Sequence, residues 1–305
     1  MPQIRHMYCQ MSMLIPLGSP DITVDENSTI EHNRLDAQAA AIVEMIGGVP
    51  FQAVLQHMPT VSKAADIGCG TGIATLQLAS LFPKASIQGL DISPVPETTK
   101  QITPTNVTWF VGNILDPEFV KTASDTGDQG FRGLDYAFGR MLFLGINDWP
   151  SYFSTALQLM NPGAVLEHQD LDWKFYRVGS SQCLSDEWEW HQRVMKANAK
   201  SGLSNYAGSG AEQHMRDAGF EIISVRQFEF SFVPSSTTPN SQAMGRYVQA
   251  RLMPNYPELL RKMLGTQGVS ETELARLTKD CLRDLKSEHG LHQKYTVTLS
   301  RKPLN

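Results

Sequence analysis

Cysteine is scarce in this 305-residue sequence. The four cysteines, Cys9, Cys69, Cys183 and Cys281, lie far apart, and no two of them form a CxxC motif. This pattern argues against a disulfide framework and against a zinc site, and it fits a reducing compartment. His, Cys, Asp and Glu show no metal-ligand spacing elsewhere in the sequence. We therefore expect a cytoplasmic protein that needs no metal.

Long apolar runs and an excess of basic residues are also missing. No stretch approaches the ~20 apolar residues that span a bilayer, and the mildly apolar stretch 7–18 is interrupted by polar residues, which makes it a poor match to a signal peptide. The net charge is −5, with both signs spread along the chain, so the sequence has no basic footprint for nucleic acid. We expect a chain that binds neither membranes nor nucleic acid. The sequence leaves open whether it forms a homodimer.

What the sequence does contain is a glycine-rich stretch, residues 64–72, which reads AADIGCGTG. A short apolar run ends in Asp66, and glycines follow at every second position, as Gly68, Gly70 and Gly72. The ten residues that follow have the apolar spacing of a helix. This order predicts a strand, a tight glycine turn and a helix. Glycine permits positive φ and lets a ligand lie against bare backbone, whereas a glycine-rich loop without a ligand is the competing interpretation.

The glycines do not fit the dinucleotide fingerprint G-x-G-x-x-G. Counted from Gly68, the last position is Ile73, and counted from Gly70 it is Thr75. The pattern D-x-G-x-G-x-G instead resembles motif I of the class I S-adenosylmethionine (SAM)-dependent methyltransferases. The resemblance implies that Asp66 faces the ammonium group of the cofactor, usually through water, and that the glycine turn accommodates the cofactor's methionine end. A nicotinamide dehydrogenase becomes a disfavoured alternative.

Two further strand-like segments supply residues for the nucleoside. The first ends in an acid that would lie beside the glycine turn in a doubly wound sheet, where the hydroxyls of a ribose can be held. Asp91 is therefore the expected ribose ligand, with a helix N-cap as the alternative, and Ile92 is the expected wall for the adenine. In the second segment, the resemblance implies that Asn113 and Ile114 lie at the adenine. An amide oxygen can accept the hydrogen bond of the adenine amino group where the family often carries an acid.

The next two strand-like segments supply charged residues. The fourth strand runs into Arg140, at the end where a parallel sheet collects ligands. Arg140 is expected to meet the carboxylate of the cofactor, and a surface or core-edge arginine is the alternative. The fifth strand ends in a polar cluster, where the resemblance places the substrate. His168 and Asp170 in this cluster, with His191 further on, are the candidate bases for an acceptor that must lose a proton; a structural role is the alternative for each.

The order of the segments predicts an α/β fold. We expect a doubly wound, mostly parallel seven-stranded sheet of the Rossmann-like class I methyltransferase type, whose last strand lies antiparallel between its neighbours. The predicted domains are an N-terminal arm with helices over 1–60 and a SAM-binding domain over 61–305. Helical insertions at about 184–201 and 240–288 are rich in aromatic residues and methionine, which favours a lid over an apolar substrate. Ordinary helix packing is the alternative.

Three weaker motifs resemble those of fungal small-molecule methyltransferases and methyltransferase-like regulators of secondary metabolism. R-L-D-x-Q stands at Arg34 in a predicted helix over 31–46, which follows an irregular arm over 1–27 and precedes a short helix over 50–57. E-x-x-D stands at 167–170, and R-K-P stands at 301–303. These motifs support placement in a subfamily but do not identify a substrate.

The resemblance implies methyl transfer from SAM to an oxygen or nitrogen atom of a hydrophobic small molecule, a natural-product intermediate. Two alternatives keep the same cofactor motifs. One is a cyclase that uses the bound sulfonium as a fixed positive charge. The other is a non-enzymatic regulator of secondary metabolism that binds protein partners through the insertions.

Overall fold

The computed structural model of the chain describes residues 24–52, 57, 60–125, 127, 130–236, 238, 240–265, 267–287 and 289–304. The predicted arm lies outside these residues up to position 23, and the predicted helix over 50–57 lies outside them at 53–56. The first described helix, α1, spans Val24–Met45. It therefore begins earlier than the predicted start at residue 31.

Seven strands form one sheet in the order β3-β2-β1-β4-β5-β7-β6. β1 pairs in parallel with β2 and β4, β2 pairs in parallel with β3, and β4 pairs in parallel with β5. The order of the strands reverses at β1, so the switch point lies between β1 and β4. The predicted mostly parallel, Rossmann-like seven-stranded sheet is confirmed. The strands are Lys63–Ile67 (β1), Ser86–Asp91 (β2), Val107–Val111 (β3), Leu134–Arg140 (β4), Met160–Tyr176 (β5), Glu221–Ser231 (β6) and His292–Arg301 (β7).

The last strand occupies the position predicted for it, between β5 and β6. Its hydrogen bonds with the chain that leaves β6 are antiparallel. Phe232 N–H donates to Leu291 O at 2.7 Å, and Gly290 N–H donates to Val233 O at 2.8 Å. The partner residue thus moves backwards along the chain as β6 moves forwards, which defines an antiparallel pair.

Helices connect the strands and build two longer inserted regions. Asp116, Asp148 and Ser270 are side-chain N-caps, and each accepts a hydrogen bond from a backbone N–H in the first turn of its helix. The helices after α1 are Ile73–Leu81 (α2), Glu97–Gln101 (α3), Pro117–Ser124 (α4), Trp149–Leu159 (α5), Glu189–Lys200 (α6), Ala211–Ala218 (α7), Ser241–Tyr247 (α8), Tyr256–Gly265 (α9) and Glu271–Asp284 (α10). Among the described residues, no helix combines the length and the apolar character that a membrane span needs.

The chain divides into two compact units. The sheet unit comprises residues 50–170, 207–227 and 296–305 and contains β1–β4, α2–α5 and α7. The helical unit comprises residues 1–49, 171–206 and 228–295 and contains α1, α6 and α8–α10. Both predicted insertions fall in the helical unit and are largely helical there. The predicted domain boundary at residue 60 stays a prediction.

Aromatic side chains fill the core of the helical unit. Trp190 donates its Nε1–H to Asp284 Oδ2 at 3.1 Å. Its ring packs edge-on against Tyr256, which packs edge-on against Phe232. Met244 is fully buried in the same unit. The residues that favoured a lid in the sequence therefore pack against one another, and their contact with a substrate stays a prediction.

The R-L-D-x-Q motif supplies a buried ion pair within the helical unit. Arg34 on α1 donates to the Glu31 carboxylate through Nε at 2.8 Å and Nη2 at 2.7 Å. Its Nη1 donates to the hydroxyl oxygen of Tyr247 on α8 at 2.8 Å. All three side chains are buried. Arg34 therefore joins α1 to α8, and its removal would leave the Glu31 charge buried without this partner.

We expect Arg34→Ala to destabilise the protein by about 3–5 kcal/mol, the usual cost of removing one partner of a buried ion pair. Arg246→Ala is the matched control, because the Arg246 side chain is 69% exposed and lies 3.8 Å from Glu44; it should cost less than about 1 kcal/mol. Urea unfolding followed by tryptophan fluorescence measures both. Equal shifts of the two midpoints would contradict a stabilising role for the Arg34 pair.

Candidate cofactor site

The glycine turn after β1 has three glycines in the left-handed region, with φ of +75° at Gly68, +54° at Gly70 and +82° at Gly72. A Cβ at Gly68 would lie 2.3 Å from Leu142 Cδ2, and a Cβ at Gly72 would lie 2.6 Å from Trp109 Cη2. A Cβ at Gly70 would meet nothing within 4 Å. Two glycines therefore allow the turn to pack, and the third presents bare backbone to open space, as the predicted cofactor requires.

Asp66 is the penultimate residue of β1, just before this turn, and is 2% exposed. Its Oδ2 accepts a hydrogen bond from Thr75 Oγ1 on α2 at 2.7 Å. Burial raises the pKa of Asp66 to about 6, and the charge of Asp91 adds to the rise, whereas Thr75 and Arg140 oppose it. A cationic group beside Asp66 would therefore be favoured, because it would stabilise the charged form of a desolvated carboxyl.

Asp91 ends β2 and is held against the glycine turn. Its Oδ2 accepts the Gly70 N–H at 2.8 Å, and its Oδ1 accepts the Ser93 N–H at 3.0 Å. Burial raises the pKa of Asp91, and these backbone hydrogen bonds oppose the rise. The next helix begins at Glu97 with Pro96 as its N-cap. The interpretation of Asp91 as a helix N-cap is therefore wrong, and its carboxylate keeps lone pairs for the predicted ribose hydroxyls.

The ends of β2 and β3 present apolar surface beside Asp91. Ile92 is 47% exposed, and Val111, the register partner of Asp91, is 55% exposed. Ile114 is buried. Asn113 accepts the Leu115 N–H through Oδ1 at 2.9 Å, and that oxygen keeps a lone pair for the adenine amino group. The predicted adenine contacts of Ile92, Asn113 and Ile114 stay predictions.

Arg140 is the last residue of β4, and one nitrogen of its guanidinium has no hydrogen-bond partner among the described residues. Its guanidinium carbon lies 5.6 Å from the centre of the Phe138 ring. Phe138 is in register with Asp66 on β1 and with Glu167 on β5. Nη1 of Arg140 is buried and has no hydrogen-bond partner among the described residues. A buried polar atom without a partner is costly, so this position favours an anion that is supplied by a ligand.

Asp66 and Arg140 together match one chemical group. They belong to neighbouring parallel strands, and because Phe138 is the register partner of Asp66, both side chains lie on the same face of the sheet. The charge of Arg140 lowers the pKa of Asp66, and Nη1 of Arg140 has no hydrogen-bond partner within the described part of the chain. An α-amino acid zwitterion carries an ammonium group for the acid and a carboxylate for the cation. The methionine end of SAM therefore fits these two residues.

His168 faces the other side of the sheet. It is in register with Gly139, the residue before Arg140, and alternation along the strand points it away from the Arg140 face. His168 is fully buried, with its ring centre 5.2 Å from that of Trp149 and 5.5 Å from that of Phe153. Burial lowers the pKa of His168 to about 3, with a small opposing effect from the backbone of Ala207. The imidazole is therefore neutral at physiological pH.

Asp170 lies on the same face as His168 and supports the turn after β4. Its Oδ2 accepts the Leu142 N–H at 2.8 Å and lies 3.7 Å from His168 Nε2. The turn includes Met141, a non-glycine residue with φ of +56°. The structure thus brings His168 and Asp170 together, and it gives the carboxylate of Asp170 a local backbone partner.

His191 belongs to the helical unit. It lies on α6, is 1% exposed, and has its Nε2 2.8 Å from the carbonyl oxygen of Trp173. Burial lowers the pKa of His191 to about 4, and the Trp173 backbone opposes the change. His191 is thus held by the backbone inside its unit. The catalytic roles of His168, Asp170 and His191 stay predictions.

Sequence reasoning missed several residues that shape the Arg140 face. Thr75 binds Asp66, and Phe51 packs edge-on against Phe138 with ring centres 5.0 Å apart. Glu167 accepts the Tyr136 hydroxyl at 2.9 Å. Only Glu167 had a signal, as the first letter of E-x-x-D. The others come from distant segments and are polar or aromatic residues that occur in any sequence.

Comparisons with known proteins identify the family of the chain. A family model described as a methyltransferase domain matches residues 51–225. Methyltransferase str2 of Strobilurus tenacellus is 27% identical over 85% of this chain and 86% of its own length. Secondary metabolism regulator laeA of Coprinopsis cinerea is 23% identical over 73% of this chain, which spans 54% of that relative. The solved cyclase SpnF has a TM-score of 0.50 at 17% identity, over 88% of this chain and 82% of that one, and shows the fold alone.

We expect the affinity for S-adenosylhomocysteine to fall as the pH is lowered through about 6. The ligand ammonium needs the ionised form of Asp66, whose pKa is raised to about 6, so protons compete with the ligand below that pH. The dissociation constant should rise about tenfold between about pH 7 and about pH 5. Calorimetric titration measures it. Asp66→Asn should bind more weakly, without this slope, and the same slope in both proteins would exclude Asp66 as its source.

Proposed function

The chain belongs to the methyltransferase-domain family, and from this premise we propose that it transfers the methyl group of SAM to an oxygen or nitrogen atom of a hydrophobic small molecule, a natural-product intermediate. The observation that carries the proposal is the pair of opposite charges formed by buried Asp66 and half-buried Arg140, whose Nη1 has no hydrogen-bond partner among the described residues; this pair suits the amino-acid end of the cofactor. Asp91 is assigned to the ribose, and Ile92, Asn113 and Ile114 to the adenine.

The reaction requires little acid–base catalysis from the protein. A sulfonium supplies an electrophilic methyl group when SAM is bound. The chain must hold the acceptor atom in line with that methyl group, at about 3 Å, and exclude water. Anchoring the nucleoside through Asp91 and the amino-acid end through Arg140 fixes the cofactor at two separate points, which limits its rotation.

The acceptor atom is further restricted by the candidate bases. Burial holds the pKa of His168 at about 3 and that of His191 at about 4, so both imidazoles are weak bases at neutral pH. An effective general base has a pKa near the working pH. These pKa values disfavour both histidines as bases, which leaves Asp170 as the candidate base or an acceptor that is already deprotonated, such as a carboxylate oxygen.

The link of the proposal to natural products is supported by two relatives. One is named a methyltransferase and one a regulator of secondary metabolism. The name of the second keeps a regulator of secondary metabolism as an alternative. A cyclase that uses the sulfonium as a fixed charge is the other alternative, because the same cofactor site would serve it.

Arg140→Gln tests whether Arg140 contacts the carboxylate of the cofactor. We expect SAM binding to weaken about ten- to hundredfold, the loss of one charge-assisted hydrogen bond, while binding of decarboxylated SAM stays within about twofold. Calorimetry with both ligands measures the difference. Arg216→Gln is the control, because Arg216 is an exposed residue of the same unit. Equal losses for both ligands would contradict a carboxylate contact.

The overall function is tested with SAM that carries a labelled methyl group. Incubation of the protein with a metabolite extract, followed by mass spectrometry, should give a labelled product, and release of the label in mild alkali would identify a methyl ester. An unlabelled isomer that forms with SAM, and more slowly with S-adenosylhomocysteine, would contradict methyl transfer and favour the cyclase that uses the sulfonium as a fixed charge. SAM binding without any turnover, together with a stable protein partner, would favour the regulator.

A further inference from the structure

Residues 50–52 are fastened to β5 within the sheet unit. Gln52 N–H donates to Glu167 Oε1 at 2.9 Å. Gln169 donates through Nε2 to Pro50 O at 3.0 Å and to Glu167 Oε1 at 2.5 Å. Glu167 and Gln169 alternate with His168 along β5 and therefore share the face that carries Arg140. This short segment is thus held by two side chains of one strand.

Glu167 is the centre of these contacts. It is fully buried, and its second oxygen, Oε2, accepts the Tyr136 hydroxyl at 2.9 Å. A buried carboxylate is stable only where donors surround it, and Tyr136, Gln52 and Gln169 provide them. Because these donors engage both oxygens, Glu167 is held in one orientation.

The contacts of Glu167 lead to Arg140 through two aromatic rings. Phe51, which stands inside the fastened segment, packs edge-on against Tyr136 at 6.3 Å and against Phe138 at 5.0 Å between ring centres. The guanidinium of Arg140 lies over the same Phe138 ring. Loss of the hydrogen bonds to Glu167 would release Phe51, and Phe138 and the guanidinium would lose the surface that supports them.

The position of Glu167 also bears on the charge of Arg140. Glu167 is the register partner of Phe138 on one side, as Asp66 is on the other. An acid on the same face as a cation can pair with it. Its engagement with three other donors leaves Nη1 of Arg140 without a partner among the described residues, and so available to a ligand anion.

We propose that Glu167 is a positioning residue for the amino-acid end of the cofactor. It holds residues 50–52, through them supports Phe51 and Phe138, and keeps the Arg140 guanidinium in place with its Nη1 available to a ligand anion. This role rests on the proposed function, because it needs a ligand carboxylate at Arg140. This role would also explain why an acid stands at the first position of the E-x-x-D motif.

The test compares two ligands in Glu167→Gln. S-adenosylhomocysteine has the amino-acid end, whereas 5′-methylthioadenosine has the same nucleoside without it. The substitution keeps the shape of the side chain but sets an amide N–H₂ against a hydrogen-bond donor. Calorimetry should show S-adenosylhomocysteine binding weakened about tenfold and 5′-methylthioadenosine binding within about twofold of wild type. Glu212→Gln, which removes an exposed acid of the same unit, should leave both unchanged.

Tyr136→Phe provides a second variant that removes one of the three donors and keeps the ring. It should weaken S-adenosylhomocysteine binding less than Glu167→Gln does and leave 5′-methylthioadenosine unaffected; this variant decides the question should Glu167→Gln fail to fold by circular dichroism. Equal losses for both ligands, or no loss for either, would overturn the positioning role. A wild-type protein that binds neither ligand would overturn the proposed function itself.

Discussion

A buried acid and a half-buried cation on neighbouring strands are the constraint on which the rest of the site depends. Asp66 and Arg140 stand on neighbouring parallel strands, on the same face, at the ends where the sheet opens. Removing these charges from water costs free energy, and the protein alone offsets only part of that cost. The surrounding residues make this arrangement tolerable: Thr75 binds the acid, the Phe138 ring supports the cation, and other donors occupy the nearby Glu167.

The backbone at the switch point complements these charges. The turn after β1 needs positive φ at three positions, and only glycine adopts that conformation without strain. At two of them, packing against Leu142 and Trp109 excludes even a methyl group. The Gly70 N–H holds Asp91 in place. The turn thus links the residues assigned to the ribose with those assigned to the amino-acid end.

Much of the fold could be predicted from the sequence, because its signals are local. The strand that ends in Asp66, the glycine turn and the following helix occupy consecutive residues, and the position of the last strand follows from the family's topology. The early start of α1 was missed, since the stretch before residue 28 was predicted to be irregular, and α3 begins at Glu97 rather than directly after Asp91.

The site was harder to predict where it depends on alternation and on distant contacts. The polar run at the end of β5 reads as one cluster in the sequence, but neighbouring residues in a strand point to opposite faces. Glu167 therefore belongs with Arg140, whereas His168 and Asp170 face the aromatic residues of α5. The hydrogen bonds between residues 50–52 and β5 join segments more than a hundred residues apart in sequence, and no local pattern reveals them.

Because β5 contributes side chains to both faces of the sheet, its contacts depend on the length of the strand as well as on its composition. Inserting or deleting a single residue before Glu167 would turn every later side chain to the opposite surface. The imidazole would then face the guanidinium, and the glutamate would face the aromatic rings of Trp149 and Phe153. A substitution in this strand changes one side chain, whereas a change in the length of the strand moves every side chain that follows.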